Sequence, residues 1–195
     1  VGWPENHIYN YRLRKINIEK NKFIRIFVCG GSQGAVNLNY KIKNLLLKIN
    51  EDCSKKIEVS MQCPKTQINE FKEIFKKLQV RCELKNFYNN ILDKLYQSDV
   101  LVARAGAGTI NDVIITQIPT IFIPLPSSSN NHQFENAQYL HNKKAALIIS
   151  ENELNNSQSY LIIKNLIENS EEQISMIKNL QKIKNFDTNS LIYKK

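Results

Sequence analysis

Short apolar runs alternate with amphipathic segments of helical period along most of this chain, and this alternation limits the possible folds more than any other feature. The runs are rich in Val, Ile and Leu, which is typical of strands buried on both faces of a parallel sheet. Strands separated by helices of about 10–15 residues predict an α/β fold, a doubly wound parallel sheet with helices on both faces. We expect strands at residues 24–29, 57–63, 80–85, 100–103, 120–124 and 145–149.

The segments between these runs carry apolar residues at helical spacing. The first predicted helix covers residues 35–49, and Thr66 is expected to cap the second. A short helix is expected around residues 91–95, and another from Thr109 to Gln117, ended by Ile118-Pro119. Later helices are expected to carry these apolar positions: Phe134, Ala137, Leu140, Leu161, Ile162, Leu166, Ile174, Ile177, Leu180 and Ile183.

Composition narrows the classes of protein to which the chain can belong. With 195 residues and 42% hydrophobic content, the chain suits one domain with a single sheet. Its net charge of +9 fits nucleic acid, an anionic membrane or a phosphorylated ligand. The positive charges are spread over most segments instead of clustering with exposed aromatics, so we expect no nucleic-acid partner.

Cysteine and apolar content point to a cytoplasmic protein. The four cysteines lie far apart, which predicts buried thiols in a reducing compartment, with neither a disulfide framework nor a zinc site. Its three histidines are too scattered to indicate a metal. The sequence also shows no apolar stretch of about 18 residues, the length that a membrane-spanning helix would need.

The first candidate binding loop follows the first predicted strand and has the sequence Gly30-Gly31-Ser32-Gln33-Gly34. Its glycines let backbone amides approach an anion, and Ser32 adds a hydroxyl at the start of a helix whose dipole favours phosphate. The alternative is an ordinary strand-to-helix turn. This loop matches neither the dinucleotide fingerprint G-x-G-x-x-G nor a P-loop, so the sequence supports neither NAD binding nor a P-loop nucleotide.

The second candidate loop contains Ala107, Gly108 and Thr109, small residues placed where a backbone could lie close to a ligand. Asp112 is expected about one turn into the following helix, where its carboxylate could accept hydrogen bonds from both hydroxyls of a ribose. The alternative is a first-turn acid that stabilises the helix dipole.

The third candidate loop brings His132 and Gln133 directly after a predicted strand. Imidazole and amide groups suit hydrogen bonding to a sugar or to phosphate oxygens, although Asn and Ser in this loop could simply start a solvated helix. Because loops after parallel strands meet at one edge of the sheet, three such loops predict a single ligand site. Tyr88 could stack on a base there, or serve as a core aromatic at the end of a strand.

Taken together, these motifs resemble the carboxyl-terminal domain of the MurG family, bacterial enzymes that transfer N-acetylglucosamine from UDP-N-acetylglucosamine to undecaprenyl-pyrophosphoryl-muramyl-pentapeptide. The resemblance covers essentially the whole chain and implies a Rossmann-like, GT-B glycosyltransferase fold. The motifs that carry it stand in the family's order: residues 30–35, residues 105–109 with an acid at 112, Ile118-Pro119 before the strand ending at Pro124, residues 131–133, and residues 136–137.

The resemblance also implies roles for particular residues. Asp112 would hold the ribose, Tyr88 would lie beside the uracil with its backbone available, and Arg104 occupies a basic position next to the base. His132 and Gln133 would approach the sugar and phosphate. The diphosphate would be contacted by residues of the first two loops: Gly31, Ser32, Gln33, Ala107, Gly108 and Thr109.

Three positions depart from the family pattern. Asp112 stands where the family usually has Glu, which shortens the reach of the carboxylate by about 1.5 Å. Asn6 replaces an Arg expected near the donor phosphates, and Gly108 replaces a larger apolar residue. These departures imply altered donor affinity.

The resemblance assigns residues 1–20 to an interdomain segment and residues 21–195 to a UDP-sugar donor-binding domain with carboxyl-terminal helices. The acceptor domain, which would contain the catalytic residues, is not found in these residues, so we expect no turnover by the chain alone.

No cofactor is implied. Implied partners are UDP-N-acetylglucosamine, an undecaprenyl-linked acceptor reached through the missing domain, and the anionic cytoplasmic face of the inner membrane. The alternatives are a non-catalytic or partner-dependent nucleotide-sugar-binding module, or a transferase with another acceptor.

Overall fold

A computed structural model of the chain describes residues 23–30, 36–126 and 131–192, with residues 184–192 as backbone alone. It contains a six-stranded parallel sheet with helices on both faces, which confirms the predicted fold class. The strands are β1 (Phe23–Cys29), β2 (Lys56–Gln62), β3 (Arg81–Lys85), β4 (Val100–Ala103), β5 (Thr120–Phe122) and β6 (Leu147–Ile148). The helices are α1 (Val36–Asp52), α2 (Lys65–Lys77), α3 (Ile91–Gln97), α4 (Ala107–Thr116), α5 (His132–Asn142), α6 (Ser157–Glu168) and α7 (Ser170–Ile192).

The strand order is β3-β2-β1-β4-β5-β6, so the direction in which the chain builds the sheet reverses between β1 and β4. These two strands are parallel neighbours, with Ile26 opposite Val100 and Cys29 opposite Ala103. Such a reversal leaves a crevice outside the carboxyl ends of the two central strands, because their following helices go to opposite faces.

Each face of the sheet covers its own apolar core. Alternate residues of β1 point to opposite faces, so Ile26 joins the core under α1 and α2, whereas Phe27 joins the core under α3, α4 and α5. The two carboxyl-terminal helices contribute to both cores: α6 packs against α1, and α7 packs against α4. The apolar stripe predicted for these helices is therefore mostly buried.

Two local predictions are wrong. Helix α2 begins after Pro64 in the cap position, and Thr66 lies within it as an exposed residue. Leu161 is 60% exposed because α6 turns Ile163 toward the core, and a residue two positions away lies on the opposite side of a helix. Phe134 is 43% exposed in the first turn of α5.

Candidate functional site

The carboxyl ends of β1 and β4 form the floor of the candidate site. The backbone N–H of Arg104 donates to the carbonyl oxygen of Cys29 at 3.2 Å, so the two strands stay paired up to the point where their loops begin. Because β1, β4 and β5 are parallel neighbours, their carboxyl ends lie at the same edge of the sheet. Gly31, Ser32, Gln33 and Asn6 lie outside the described residues.

The second candidate loop starts α4 earlier than predicted. Gly106 caps the helix in an extended conformation, and α4 begins at Ala107 instead of Thr109. Ala107 and Gly108 are exposed, Thr109 is half-buried, and no side chain caps the first turn. A Cβ placed on Gly108 would meet nothing within 4 Å, so the departure from the family pattern leaves open space here. Backbone N–H groups at this helix end are thus accessible to an anion.

The earlier start moves Asp112 out of the first turn, because it lies five residues after Ala107. Asp112 is therefore not a first-turn acid that stabilises the helix dipole, and that alternative is wrong. Burial raises the pKa of Asp112 to about 6 from its ordinary value of 3.8. Among the residues that the structure describes, burial is the cause of this raised pKa, and a half-buried carboxylate of this kind is a candidate for ligand binding.

The raised pKa leads to a stability prediction. Ionised Asp112 opposes folding at pH 7.5, because the folded chain holds the proton more tightly than the unfolded chain does. Asp112→Asn should raise the free energy of unfolding by about 1–2 kcal/mol at pH 7.5, after allowance for partial exposure. The gain should shrink as the pH falls and vanish below about pH 3, under both pKa values, where both states of the wild type carry the proton.

Urea unfolding at the two pH values would test this. Glu73→Gln, which neutralises an exposed carboxylate on α2, is the matched control and should change stability little at either pH. Equal or lower stability of Asp112→Asn at pH 7.5 would contradict the burial argument.

Two side-chain amides at the start of α5 bind the chain just after β5 and just after β4. Gln133 Oε1 accepts a hydrogen bond from the backbone N–H of Leu125 at 3.0 Å, and Asn136 Nδ2 donates to the carbonyl oxygen of Ala105 at 3.1 Å. His132 is exposed, with Nδ1 3.9 Å from the Glu135 carboxylate. Gln133 therefore lies just beyond the end of β5, and Asn136 contacts the turn that leads into α4, the helix that carries Thr109 and Asp112.

Tyr88 is a core residue, which agrees with the second of its two interpretations. Its side chain is 7% exposed and packs edge-on against Phe27, with ring centroids 5.1 Å apart. The hydroxyl donates to the carbonyl oxygen of Glu83 at 2.9 Å. A cavity of about 360 Å³ opens beside Tyr88 and is lined partly by Phe87, which is 66% exposed. The buried ring of Tyr88 is thus not available to stack on a base, and a contact from its backbone to a base remains a prediction.

The side chain of Arg104 is committed to protein groups. Nη1 donates to the carbonyl oxygens of Ile123 and Pro124 at 3.0 and 3.1 Å, and Nη2 is 2.5 Å from a carboxylate oxygen of Glu151. A contact from Arg104 to a base remains a prediction. Glu151 was not among the residues predicted from the sequence. The feature that could have pointed to it is an acidic residue after the last strand of the same sheet.

A family model described as the glycosyltransferase family 28 C-terminal domain matches residues 25–190. The chain belongs to this family. The match spans every strand of the sheet and most of α7, so the resemblance inferred from the motifs is confirmed.

Two relatives and one solved structure support the family 28 assignment. The chain is 31% identical over 169 residues to a Wolbachia protein (subsp. Drosophila simulans, strain wRi), and the alignment covers 86% of this chain and 49% of the relative. This relative is named UDP-N-acetylglucosamine--N-acetylmuramyl-(pentapeptide) pyrophosphoryl-undecaprenol N-acetylglucosamine transferase. A Rickettsia akari protein of the same name is 32% identical over 165 residues, covering 84% and 43%. The chain thus spans about half the length of these curated relatives.

The fold of this family 28 domain is similar to that of MurG from Acinetobacter baumannii, with a TM-score of 0.73 at 21% identity, covering 85% of this chain and 48% of that one. At this identity the likeness supports the fold, and it confirms the predicted GT-B type of architecture. Within the residues that the structure describes, no helix is long and apolar enough to cross a membrane.

Proposed function

We propose that this chain is the UDP-N-acetylglucosamine-binding half of an inverting N-acetylglucosaminyltransferase of peptidoglycan synthesis, which converts lipid I to lipid II. The observation that carries the proposal is the match to the family 28 model, supported by an uncapped first turn of α4 after β4 and by the half-buried carboxylate of Asp112 on that helix. The named relatives act, by their names, on this donor and acceptor. The donor-binding domain would occupy residues 21–195.

In the proposed complex, each group of this chain binds or orients the donor. Asp112, ionised above its raised pKa, accepts hydrogen bonds from the ribose hydroxyls. Backbone N–H groups of Ala107 and Gly108, with the hydroxyl of Thr109, bind the diphosphate at the positive end of α4. Gln133 donates to the sugar or phosphate, and the backbone of Tyr88 faces the uracil.

The same groups support the reaction when UDP leaves. Displacement at the anomeric carbon transfers negative charge to the diphosphate, and fixed N–H donors at a helix end stabilise that charge without rearranging. The acceptor, its binding surface and the general base would be supplied by a second domain. The net charge of +9 favours an anionic membrane surface, consistent with work at the cytoplasmic face of the inner membrane.

Calorimetric titration of the full chain with UDP-N-acetylglucosamine tests the proposal, with UDP-glucose and ADP as comparison ligands. We expect UDP-N-acetylglucosamine to bind and ADP not to bind, because the named relatives take a uridine nucleotide as their donor. UDP-glucose reports how much the N-acetyl group contributes. A folded sample that binds no uridine nucleotide, or binds ADP equally well, would refute the proposal.

A further inference from the structure

We propose that Glu151 is a positioning residue for the donor site. It holds Arg104, and through Arg104 the carboxyl end of β5, in the arrangement that presents the amide of Gln133 to the ligand. This inference rests on the proposed function and adds a residue outside the three candidate loops.

Glu151 lies in a 3-10 turn (Glu151–Glu153) that follows β6. One carboxylate oxygen is 2.5 Å from Arg104 Nη2, and the two side chains are 15% and 9% exposed. The other oxygen is 3.9 Å from Lys41 Nζ, which also donates to the backbone carbonyl of Glu151 at 3.3 Å. One carboxylate therefore links the end of β4 to α1, the helix that follows the first candidate loop.

The link continues from Arg104 to the third candidate loop. Arg104 Nη1 donates to the carbonyl oxygens of Ile123 and Pro124, the two residues directly after β5. The next residue, Leu125, donates its N–H to Gln133 Oε1 at 3.0 Å. Because the oxygen of this amide is engaged, its nitrogen is the end that can donate to an oxygen of the ligand.

A pair with so little access to water cannot exchange one partner for solvent at small cost. Neutralising Glu151 leaves the Arg104 guanidinium without its carboxylate, and the guanidinium would then move toward water or toward another acceptor. Either movement disturbs the two carbonyls at the end of β5. The expected result is a Gln133 amide that is less well oriented, in a chain that still folds around the same two cores.

Titration of the full chain with UDP-N-acetylglucosamine tests the inference in the variant Glu151→Gln, which keeps the shape and removes the charge. We expect its affinity to fall roughly tenfold. Glu153→Gln, an exposed carboxylate in the same turn, is the matched control and should bind within about twofold of the wild type.

Two further measurements separate positioning from general stabilisation. The side-chain amide signals of Gln133 in ¹⁵N-labelled chain, assigned by their loss in Gln133→Ala, should shift in Glu151→Gln and remain unchanged in Glu153→Gln. If Glu151→Gln does not fold, Glu151→Asp serves instead, because it keeps the charge and shortens the reach by about 1.5 Å. It should weaken binding and shift the same signals.

The outcomes are distinct. Unchanged affinity and unchanged Gln133 signals in a folded variant would overturn the inference and leave Glu151 a purely structural residue. Tighter binding in Glu151→Gln would also overturn it, since Glu151 would then withhold Arg104 from the ligand. If the wild type binds no UDP-N-acetylglucosamine, the proposed function fails and this inference fails with it.

Discussion

Asp112→Ala is expected to weaken the binding of UDP by roughly 30- to 150-fold, which corresponds to about 2–3 kcal/mol for hydrogen bonds to a charged group. The reason is that, in the proposed complex, this half-buried carboxylate of α4 accepts hydrogen bonds from the ribose hydroxyls, and burial already raises its pKa to about 6. Isothermal calorimetry at pH 7.5 would measure the loss.

Two variants serve as controls for this result. Asn111→Ala changes the exposed neighbour of Asp112 on α4 and should leave UDP affinity nearly unchanged. Asp112→Glu restores the residue common in the family and should still bind. Because removal of the buried charge should not destabilise the fold, weaker binding by Asp112→Ala cannot be attributed to unfolding. Wild-type affinity in Asp112→Ala would exclude Asp112 from the site.

Phe27→Ala should lower the free energy of unfolding by about 3–5 kcal/mol, a large part of the roughly 5–15 kcal/mol available to a domain. Phe27 is fully buried in the middle strand of the sheet, and its ring supports the edge-on ring of Tyr88. Truncation would leave a cavity under β4 and α3 that the surrounding strands cannot close.

Urea unfolding followed by circular dichroism measures this effect. The matched control is Phe87→Ala, which removes a ring that is 66% exposed next to Tyr88 and should change stability by less than about 0.5 kcal/mol. Similar losses in the two variants, or a loss below about 1 kcal/mol for Phe27→Ala, would contradict the assignment of Phe27 to the core.

The strands were predictable because each is a short apolar run with clear boundaries. Val100–Ala103 was predicted at the bounds that the structure shows, since Asp99 and Arg104 flank it with charge. The start of α4 was missed by two residues because Ala107 and Gly108 give no capping signal, and the helix begins from the backbone of Gly106. Because of this error, the position of Asp112 beyond the first turn of α4 was not predicted.

Contacts between distant residues could not be predicted from the sequence. Glu151 and Arg104 are far apart in the chain, and neither residue type indicates which opposite charge it will meet. Leu161 was predicted to belong to the apolar stripe, but it is exposed. The spacing of apolar residues shows that a helix has an apolar side, but it does not show which residues of that helix face the sheet. The family resemblance supplied the roles of the loop residues, whereas the structure supplied the links between the loops.

The pairing of Ile26 with Val100 also has a consequence for synthesis of the chain. At about 5–20 residues per second, a ribosome needs roughly 4–15 s to make the intervening residues, during which β1 has an unsatisfied edge. That edge presents unpaired backbone N–H and C=O groups on a largely apolar strand, and it invites pairing with another chain until β4 arrives. A nascent polypeptide that stops before residue 100 therefore has no crevice and an exposed central strand, which makes it a substrate for chaperones rather than a binder of nucleotides.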